Sequence, residues 1–137
     1  MGGTYNIKCL VVDDDEDDQE LFSAALEKTS FGHYTCIFAG DGGEAMDLLN
    51  TDLQPDYIFL DLNMPKLNGM QCLEEIRKQQ RFHQTHISIY STSNDEKTKA
   101  AAFDMGATAF ISKPTRFAEL IGYLNNFFAT YHPTQGL

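Results

Sequence analysis

Short apolar runs alternate with helical patterns along the chain, and this alternation limits the possible folds more than any other feature of the sequence. Residues 7–12 and 57–60 form nearly continuous apolar runs, as expected for strands that are buried on both faces. Three weaker runs complete the predicted strands, at residues 34–39, 87–90 and 107–112. The pattern therefore predicts five short strands.

Segments with apolar residues at helical spacing follow these strands, and they predict helices at residues 16–28, 43–50, 69–79, 95–105 and 116–129. The fourth helix carries a start signal and a stop signal. Ser93-Asn94-Asp95-Glu96 has the capping-box pattern, and Gly106 is placed to end the helix. We expect the methionine and phenylalanine side chains of the helices to lie in the core.

Alternating strands and helices join through right-handed crossovers, which build a parallel sheet with helices on both faces. The predicted fold is α/β: a doubly wound, five-stranded parallel sheet in a three-layer sandwich of the flavodoxin-like type. The common order for five such strands is 2-1-3-4-5. We expect one domain at residues 7–130, with an N-terminal extension at 1–6 and a C-terminal tail at 131–137.

Charge and cysteine content limit the possible partners and the location. Twenty acidic residues against ten Lys and Arg give a formal net charge of −10, which disfavours nucleic-acid backbones and anionic membrane surfaces. The three cysteines are an odd number without CxxC spacing, which indicates free, buried thiols. No apolar run reaches membrane-spanning length and no signal-peptide pattern opens the sequence. We expect a cytoplasmic protein.

Polar residues follow four of the predicted strands at their carboxyl ends. Asp13 and Asp14 follow the first strand, Asp61 the third, Ser91 the fourth and Lys113 the fifth. In the order 2-1-3-4-5 these four strands are neighbours, and ligands of open parallel sheets bind beyond the carboxyl ends of the strands. The sequence therefore predicts that three carboxylates, a hydroxyl and an ammonium share one cleft.

Three carboxylates in one cleft repel each other, and a hard cation would remove that repulsion. Mg²⁺ prefers oxygen ligands and is commonly held by one or two carboxylates together with phosphate oxygens. A carboxylate beside such an ion is a competent nucleophile toward phosphorus. Lys113 and Ser91 could neutralise the oxygens of a transferred phosphoryl group. The cluster therefore predicts Mg²⁺-dependent phosphoryl transfer.

Four separated motifs resemble the signatures of the response-regulator receiver domain, in the right order and spacing. They are Leu10-Val11-Val12-Asp13-Asp14, Leu60-Asp61-Leu62-Asn63-Met64-Pro65 with Gly69, Ser91-Thr92-Ser93, and Ser112-Lys113-Pro114. The resemblance extends from about residue 7 to residue 129, and it is to single-domain, chemotaxis-regulator-like members. It implies a two-component phosphorelay protein that signals by a conformational switch.

The resemblance also implies roles for the residues that match the motifs. Asp61 would be the phosphoacceptor and Asp13 and Asp14 the acidic pair, while Lys113 and Ser91 would contact the phosphoryl group. The resemblance implies Mg²⁺ ligands of three kinds: the carboxylates of Asp14 and Asp61, the backbone carbonyl of Asn63, and Asp13 through water. The bond between Lys113 and Pro114 would be cis.

Partners follow from the same resemblance. The phosphoryl donor would be a sensor histidine kinase or a histidine phosphotransfer protein. Ser91 and Phe110 would switch together and alter a face formed by the fourth helix, fifth strand and fifth helix, including Thr98, Ala101, Phe110 and Tyr123. An unknown downstream protein would bind there. Such a protein is not a turnover enzyme, because it catalyses only its own aspartyl phosphorylation and dephosphorylation.

Other interpretations stay open at this stage. Acids in the first turn of a helix are favourable through the helix dipole, which accounts for residues 15–18 without a functional role. A phosphorylation-independent pseudo-receiver would use the same fold as an interaction module. A small Mg²⁺-dependent phosphatase is a further alternative, although Asp61-Leu62-Asn63 departs from the Asp-x-Asp of the haloacid dehalogenase type.

Overall fold

Five strands alternate with five helices in the computed structural model, which describes residues 6–29, 33–64 and 67–132. The strands are β1 (Asn6–Val12), β2 (His33–Ala39), β3 (Tyr57–Leu60), β4 (His86–Ser91) and β5 (Ala109–Ser112). The helices are α1 (Glu16–Glu27), α2 (Gly42–Leu49), α3 (Gly69–Arg77), α4 (Glu96–Asp104) and α5 (Phe117–Thr130), and a 3-10 turn at Gln80–Phe82 precedes β4. Among the described residues, no helix is long and apolar enough to cross a membrane.

The five strands form one parallel sheet in the order β2-β1-β3-β4-β5, which confirms the predicted fold class and strand order. The register pairs Val12 with Leu60, Leu60 with Ile89, and Ser91 with Ser112. The last residues of β1 and β3 therefore lie side by side, and so do those of β4 and β5, which extend two residues further at the same edge of the sheet. This alignment positions the polar residues that follow the strands.

Each face of the sheet has its own apolar core, because alternate strand residues point to opposite faces. Leu10, Val12, Ile58 and Leu60 are fully buried on one face, in the core that includes residues of α2 and α3. Cys9, Val11, Tyr57 and Phe59 are fully buried on the other face, among residues of α1 and α5. Burial on both faces explains why these strands read as continuous apolar runs.

Helix α4 begins later than the capping-box pattern predicts. Asp95 is the N-cap, and its carboxylate accepts hydrogen bonds from the Thr98 amide at 3.1 Å and the Thr98 hydroxyl at 2.7 Å. Ser93 is not the cap, and its hydroxyl accepts a hydrogen bond from the Asn63 side chain at 3.2 Å. The aspartate two residues later satisfies the first turn of the helix.

The stop signal at Gly106 is confirmed, and it shortens β5. Gly106 has a φ of 107°, its amide donates to Phe103 O, and the Ala107 amide donates to Ala102 O, both at 3.0 Å. These two bonds form a Schellman motif. Because Ala107 completes the helix end, β5 begins at Ala109 and not at residue 107 as the apolar run predicts.

Two helical side chains lie outside the expected core. Phe103 of α4 is 49% exposed and Leu21 of α1 is 40% exposed. Phe22, Phe127 and Phe128 are buried as expected. Ala102 is the only buried residue of helix α4, and the adjacent Phe103 projects from a neighbouring side of the helix that faces solvent.

The three cysteines are free, as their odd number predicts. Cys9 and Cys72 are buried, whereas Cys36 is half-buried on the edge strand β2. Burial raises the pKa of the Cys36 and Cys72 thiols to about 12 and also raises the pKa of Cys9. All three side chains therefore stay protonated near neutral pH and act as small apolar groups.

Candidate functional site

The hydrogen-bond ladder of the sheet continues one residue past the ends of β1, β3 and β5 and fixes the backbones of three predicted site residues. The Asp13 amide donates to Ala39 O at 3.0 Å, the Asp61 amide to Val12 O at 3.0 Å, and the Lys113 amide to Ser91 O at 2.9 Å. The backbones of Asp13, Asp61 and Lys113 are therefore held by neighbouring strands. Their side chains emerge together at the carboxyl edge of the sheet, as the sequence predicts.

Asp13, Asp14 and Asp61 form a group of three carboxylates. Each offers one oxygen, and these oxygens lie within 4.8 Å of one another. Asp13 is 1% exposed and Asp61 6% exposed, while Asp14 is open to solvent. Burial raises the pKa of Asp13, although the nearby Lys113 ammonium opposes that rise. Asp13 Oδ2 is buried and accepts no hydrogen bond from the described residues, although Lys113 Nζ lies 2.8 Å away.

This group fits a hard divalent cation. Carboxylate oxygens are the ligands that Mg²⁺ prefers, and a shared cation relieves the repulsion between neighbouring carboxylates. The exposed Asp14 gives access from solvent, and the buried Asp13 Oδ2 retains lone pairs that could accept from a coordinated water. The donor set therefore agrees with the metal predicted from the sequence.

Lys113 contacts three carboxylates at once. Its Nζ lies 2.8 Å from Asp13 Oδ2, 2.8 Å from Asp18 Oδ2 and 3.0 Å from Asp61 Oδ2. The lysine side chain is 11% exposed, and Nζ also lies 5.3 Å from the centre of the Tyr90 ring. Burial lowers the pKa of Lys113, but its interactions with the carboxylates of Asp13, Asp18 and Asp61 outweigh this and raise it. Lys113 is therefore a fixed positive charge at neutral pH.

Asp18 is a site residue that the sequence interpretation missed. Its position in the first turn of α1 suggested only a favourable interaction with the helix dipole. Asp15, by contrast, is a structural residue, because its carboxylate caps α1 by accepting from the Asp17 and Asp18 amides. Asp17 and Asp18 are alike as acids of the first turn, but Asp18 lies four residues before the buried Phe22, whereas Asp17 lies four before the exposed Leu21. The packing of α1 beside α5 on one face of the sheet brings Asp18 to Lys113.

The loop after β3 folds tightly around Asp61. The Asn63 amide donates to Asp61 Oδ1 at 3.2 Å, and the Gly69 amide donates to Leu62 O at 3.1 Å. A Cβ on Gly69 would overlap the Asp61 carbonyl and lie 2.7 Å from Leu62 Cα, so this position requires glycine. Pro65, the last residue of the predicted motif, lies outside the described residues.

Ser91 and Phe110 lie near the cluster without joining it. The Ser91 hydroxyl is fully buried and accepts a hydrogen bond from the Ser93 amide at 3.2 Å, which leaves its own hydrogen available to donate. Phe110 is half-buried, and Lys99 Nζ lies 5.9 Å from the centre of its ring. Ser91 is the last residue of β4 and Phe110 lies in β5, so α4 lies between them in the chain.

The prediction of a cis bond between Lys113 and Pro114 is wrong, since the described residues contain no cis peptide bond. The trans isomer of a bond preceding proline is favoured by about 0.5–1 kcal/mol. Lys113 reaches its three carboxylates in this trans arrangement, so the observed contacts do not require the cis isomer.

Comparison with known proteins assigns the family. The sequence model of the response regulator receiver domain matches residues 9–125. The chain belongs to this receiver family. It is 31% identical over 125 residues to the transcriptional regulatory protein CpxR of Escherichia coli K12, which covers 91% of this chain and 50% of CpxR. The receiver chain thus spans about half the length of the curated relatives it matches.

Two solved receiver structures share the whole fold. The phosphorylated cyanobacterial phytochrome response regulator RcpA aligns with a TM-score of 0.82 and 26% identity, covering 93% of this chain and 94% of that one. The chemotaxis protein CheY4 of Vibrio cholerae aligns with a TM-score of 0.77 and 27% identity, covering 89% and 98%. The chain is therefore a receiver domain of a two-component response regulator, with the acidic cluster at the expected edge of the fold.

Proposed function

We propose that this receiver accepts a phosphoryl group on Asp61 from a phosphohistidine donor, in a reaction that requires Mg²⁺. The observation that carries the proposal is the arrangement around Asp61. Its carboxylate is nearly buried, lies 3.0 Å from the Lys113 ammonium, and shares a 4.8 Å cluster with Asp13 and Asp14. The donor would be a sensor histidine kinase or a histidine phosphotransfer protein.

The transfer exchanges one bond to phosphorus for another. An Asp61 carboxylate oxygen attacks phosphorus, the P–N bond to the donor imidazole breaks, and the bonding electron pair leaves on the imidazole nitrogen, which takes up a proton. Asp14, Asp61 and the backbone carbonyl of Asn63 would hold Mg²⁺, with Asp13 acting through water. When bound, Mg²⁺ supplies positive charge beside the phosphoryl oxygens. Lys113 supplies a second positive charge from the protein itself.

The proposed output is a change in the face formed by α4, β5 and α5. The buried Ser91 hydroxyl has a hydrogen free to donate to the phosphoryl group, and its movement would draw Phe110 inward. The face includes Thr98, Ala101, Phe110 and Tyr123, of which Ala101 and Tyr123 are exposed. A downstream protein would distinguish the two states of this face.

Domain content and cellular location form a further part of the proposed function. We place the protein as a single-domain response regulator in the cytoplasm, where phosphohistidine donors present their phosphoryl groups. It signals by its own phosphorylation and does not turn over a separate substrate. The intact mass of the protein isolated from its source cells tests the single-domain assignment.

Intact mass after incubation with acetyl phosphate and Mg²⁺ tests the proposed chemistry. We expect one added phosphoryl group in the parent protein and in Asp52→Asn, which removes an exposed carboxylate away from the cluster. We expect none in Asp61→Asn or in the presence of EDTA. Phosphorylation of Asp61→Asn at the parent rate would disprove the assignment of the phosphoacceptor.

A beryllofluoride-binding measurement accompanies the mass experiment, because rapid hydrolysis can remove the acyl phosphate before detection. Binding that requires both Mg²⁺ and Asp61 supports the phosphoacceptor site. A protein that gains no phosphoryl group and binds no beryllofluoride would instead be a phosphorylation-independent interaction module.

A further inference from the structure

We propose that Asp18 is a positioning residue that competes with the phosphoryl group for Lys113 and thereby weakens phosphorylation of the receiver. This inference rests on the proposed role of Asp61. It concerns the regulation of that site by a residue of α1 that belongs to neither the acidic trio nor the four receiver motifs.

Lys113 has a limited number of hydrogen-bond donors. An ammonium group carries three N–H donors. Its Nζ donates to Asp18 Oδ2 at 2.8 Å and to Asp61 Oδ2 at 3.0 Å, and it lies 2.8 Å from Asp13 Oδ2. Two of its donors are held by Asp18 and Asp61, and all three carboxylates share its single positive charge. A phosphoryl group on Asp61 therefore competes with these carboxylates for the Lys113 ammonium.

Asp18 is the carboxylate that can most easily release Lys113. Both oxygens of the Asp13 carboxylate have close neighbours, because Oδ1 accepts from the Asp15 amide at 2.9 Å and Oδ2 lies 2.8 Å from Lys113 Nζ. Asp61 carries the phosphoryl group itself. The Asp18 side chain is 31% exposed, against 1% for Asp13 and 8% for Asp61. Asp18 can therefore turn to water at the least desolvation cost.

Two hydrogen bonds at the start of α1 hold Asp18 next to Lys113 in the resting protein. The Asp15 carboxylate accepts from the Asp18 amide at 3.3 Å, and the Gln19 side chain donates to Asp13 O at 2.7 Å. These bonds tie the first turn of α1 to the end of β1. The Asp18 carboxylate therefore lies over the site before any ligand arrives, and little entropy is lost in its contact with Lys113.

The charge of Asp18 opposes phosphorylation in two ways. It holds the Lys113 ammonium through a hydrogen bond and so draws it away from the phosphoryl group, and it repels the negative charge that arrives at Asp61. Replacing Asp18 with asparagine keeps the size of the side chain and one acceptor oxygen but removes the charge. Asp18→Asn should therefore bind an anionic phosphoryl mimic more tightly, whereas loss of a purely structural contact would weaken binding.

The test compares the affinity for beryllofluoride at saturating Mg²⁺ in the parent protein, Asp18→Asn, Asp18→Glu and Asp17→Asn, measured by ¹⁹F NMR titration. Asp17→Asn is the matched control, because it removes the same charge from the adjacent residue, which has no contact with Lys113 among those described. We expect Asp18→Asn to bind roughly three- to tenfold more tightly, the range for a partly exposed charged contact. Asp18→Glu, which restores the charge, should bind like the parent.

Separate outcomes overturn this inference and the proposed function. A parent protein that does not bind beryllofluoride with Mg²⁺ disproves the phosphoacceptor site itself. A parent that binds, with Asp18→Asn unchanged or weaker, disproves competition for Lys113. Equal tightening in Asp18→Asn and Asp17→Asn assigns the effect to net charge and also overturns the inference. Urea unfolding of each variant confirms that the compared proteins are folded.

Discussion

Lys113 Nζ lies 3.0 Å from Asp61 Oδ2, and this ion pair joins the end of β5 to the end of β3 across the intervening strand β4. The two side chains are 11% and 8% exposed, so each has lost most of its hydration. The ammonium is also the shared partner of Asp13 and Asp18. Removal of Lys113 would therefore leave a group of carboxylates with uncompensated charge.

We predict that Lys113→Met destabilises the metal-free protein by about 3 kcal/mol, because breaking a buried ion pair leaves its partners unpaired. Saturating Mg²⁺ should restore part of this loss, since a cation that binds only the folded state stabilises it. Urea unfolding with Mg²⁺ and with EDTA measures both effects. Lys78→Met is the matched control, because its pair with Glu75 is exposed and its loss should have no measurable effect. Equal stability changes in the two variants would contradict the prediction.

A second prediction concerns the hydrogen bond from the Asn63 side chain to the Ser93 hydroxyl at 3.2 Å, which links the loops after β3 and β4. Asn63 is exposed, so each of Asn63→Ala and Ser93→Ala should lower the free energy of unfolding by at most about 1 kcal/mol. The double variant should lose less than the sum of the two single losses, because both remove the same bond. Strictly additive losses in urea unfolding would show that the bond contributes nothing.

Two glycines should respond to alanine in opposite directions. A Cβ on Gly69 would overlap the Asp61 carbonyl, whereas a Cβ on Gly122, in the exposed middle of α5, meets nothing within 4 Å. We predict that Gly69→Ala destabilises by about 2 kcal/mol through forced backbone displacement. Gly122→Ala should stabilise by about 0.5–1 kcal/mol through better helix propensity. Thermal and urea unfolding of both variants measure these changes, and a stabilising Gly69→Ala would contradict the close approach.

Alkaline pH should destabilise the protein through its buried tyrosines. Burial raises the pKa of Tyr34 and Tyr90 to about 12 and also raises that of Tyr57. An unfolded tyrosine has a pKa of about 10. A pKa raised by folding gives stability that is fully present below the unfolded value and is lost as pH rises through the folded value. The loss should therefore begin near pH 10 and continue to about pH 12.

Each such tyrosine contributes a slope of up to about 1.4 kcal/mol per pH unit within that window. Urea midpoints between pH 8 and pH 11 measure the slope, to which the buried thiols add from near pH 8.5 because burial raises their pKa also. Tyr90→Phe isolates one tyrosine, and its stability should fall less steeply above pH 10 than that of the parent. Identical slopes would show that Tyr90 does not contribute.

Local sequence patterns predicted the bounds of an element well where all of its residues share one environment. The bounds of β3 agree with its apolar run, since every residue of Tyr57–Leu60 is buried. The end of α4 agrees because Gly106 adopts the positive φ that few other residues tolerate. The capping box predicted at the start of α4 was wrong, because Asp95 and not Ser93 is the N-cap. The Ser93 hydroxyl contacts Asn63, thirty positions away in sequence.

The sequence by itself determined the doubly wound sheet and the meeting of Asp13, Asp14, Asp61 and Lys113 at one edge, because parallel strands of known order carry their carboxyl ends to the same place. Only the tertiary structure decided that Asp18 reaches Lys113 while Asp17 does not, and that Phe103 faces solvent. Those outcomes depend on how α1 and α4 rotate as they pack against the sheet. Helix rotation follows from contacts between residues far apart in the chain, which the local spacing of apolar residues does not encode.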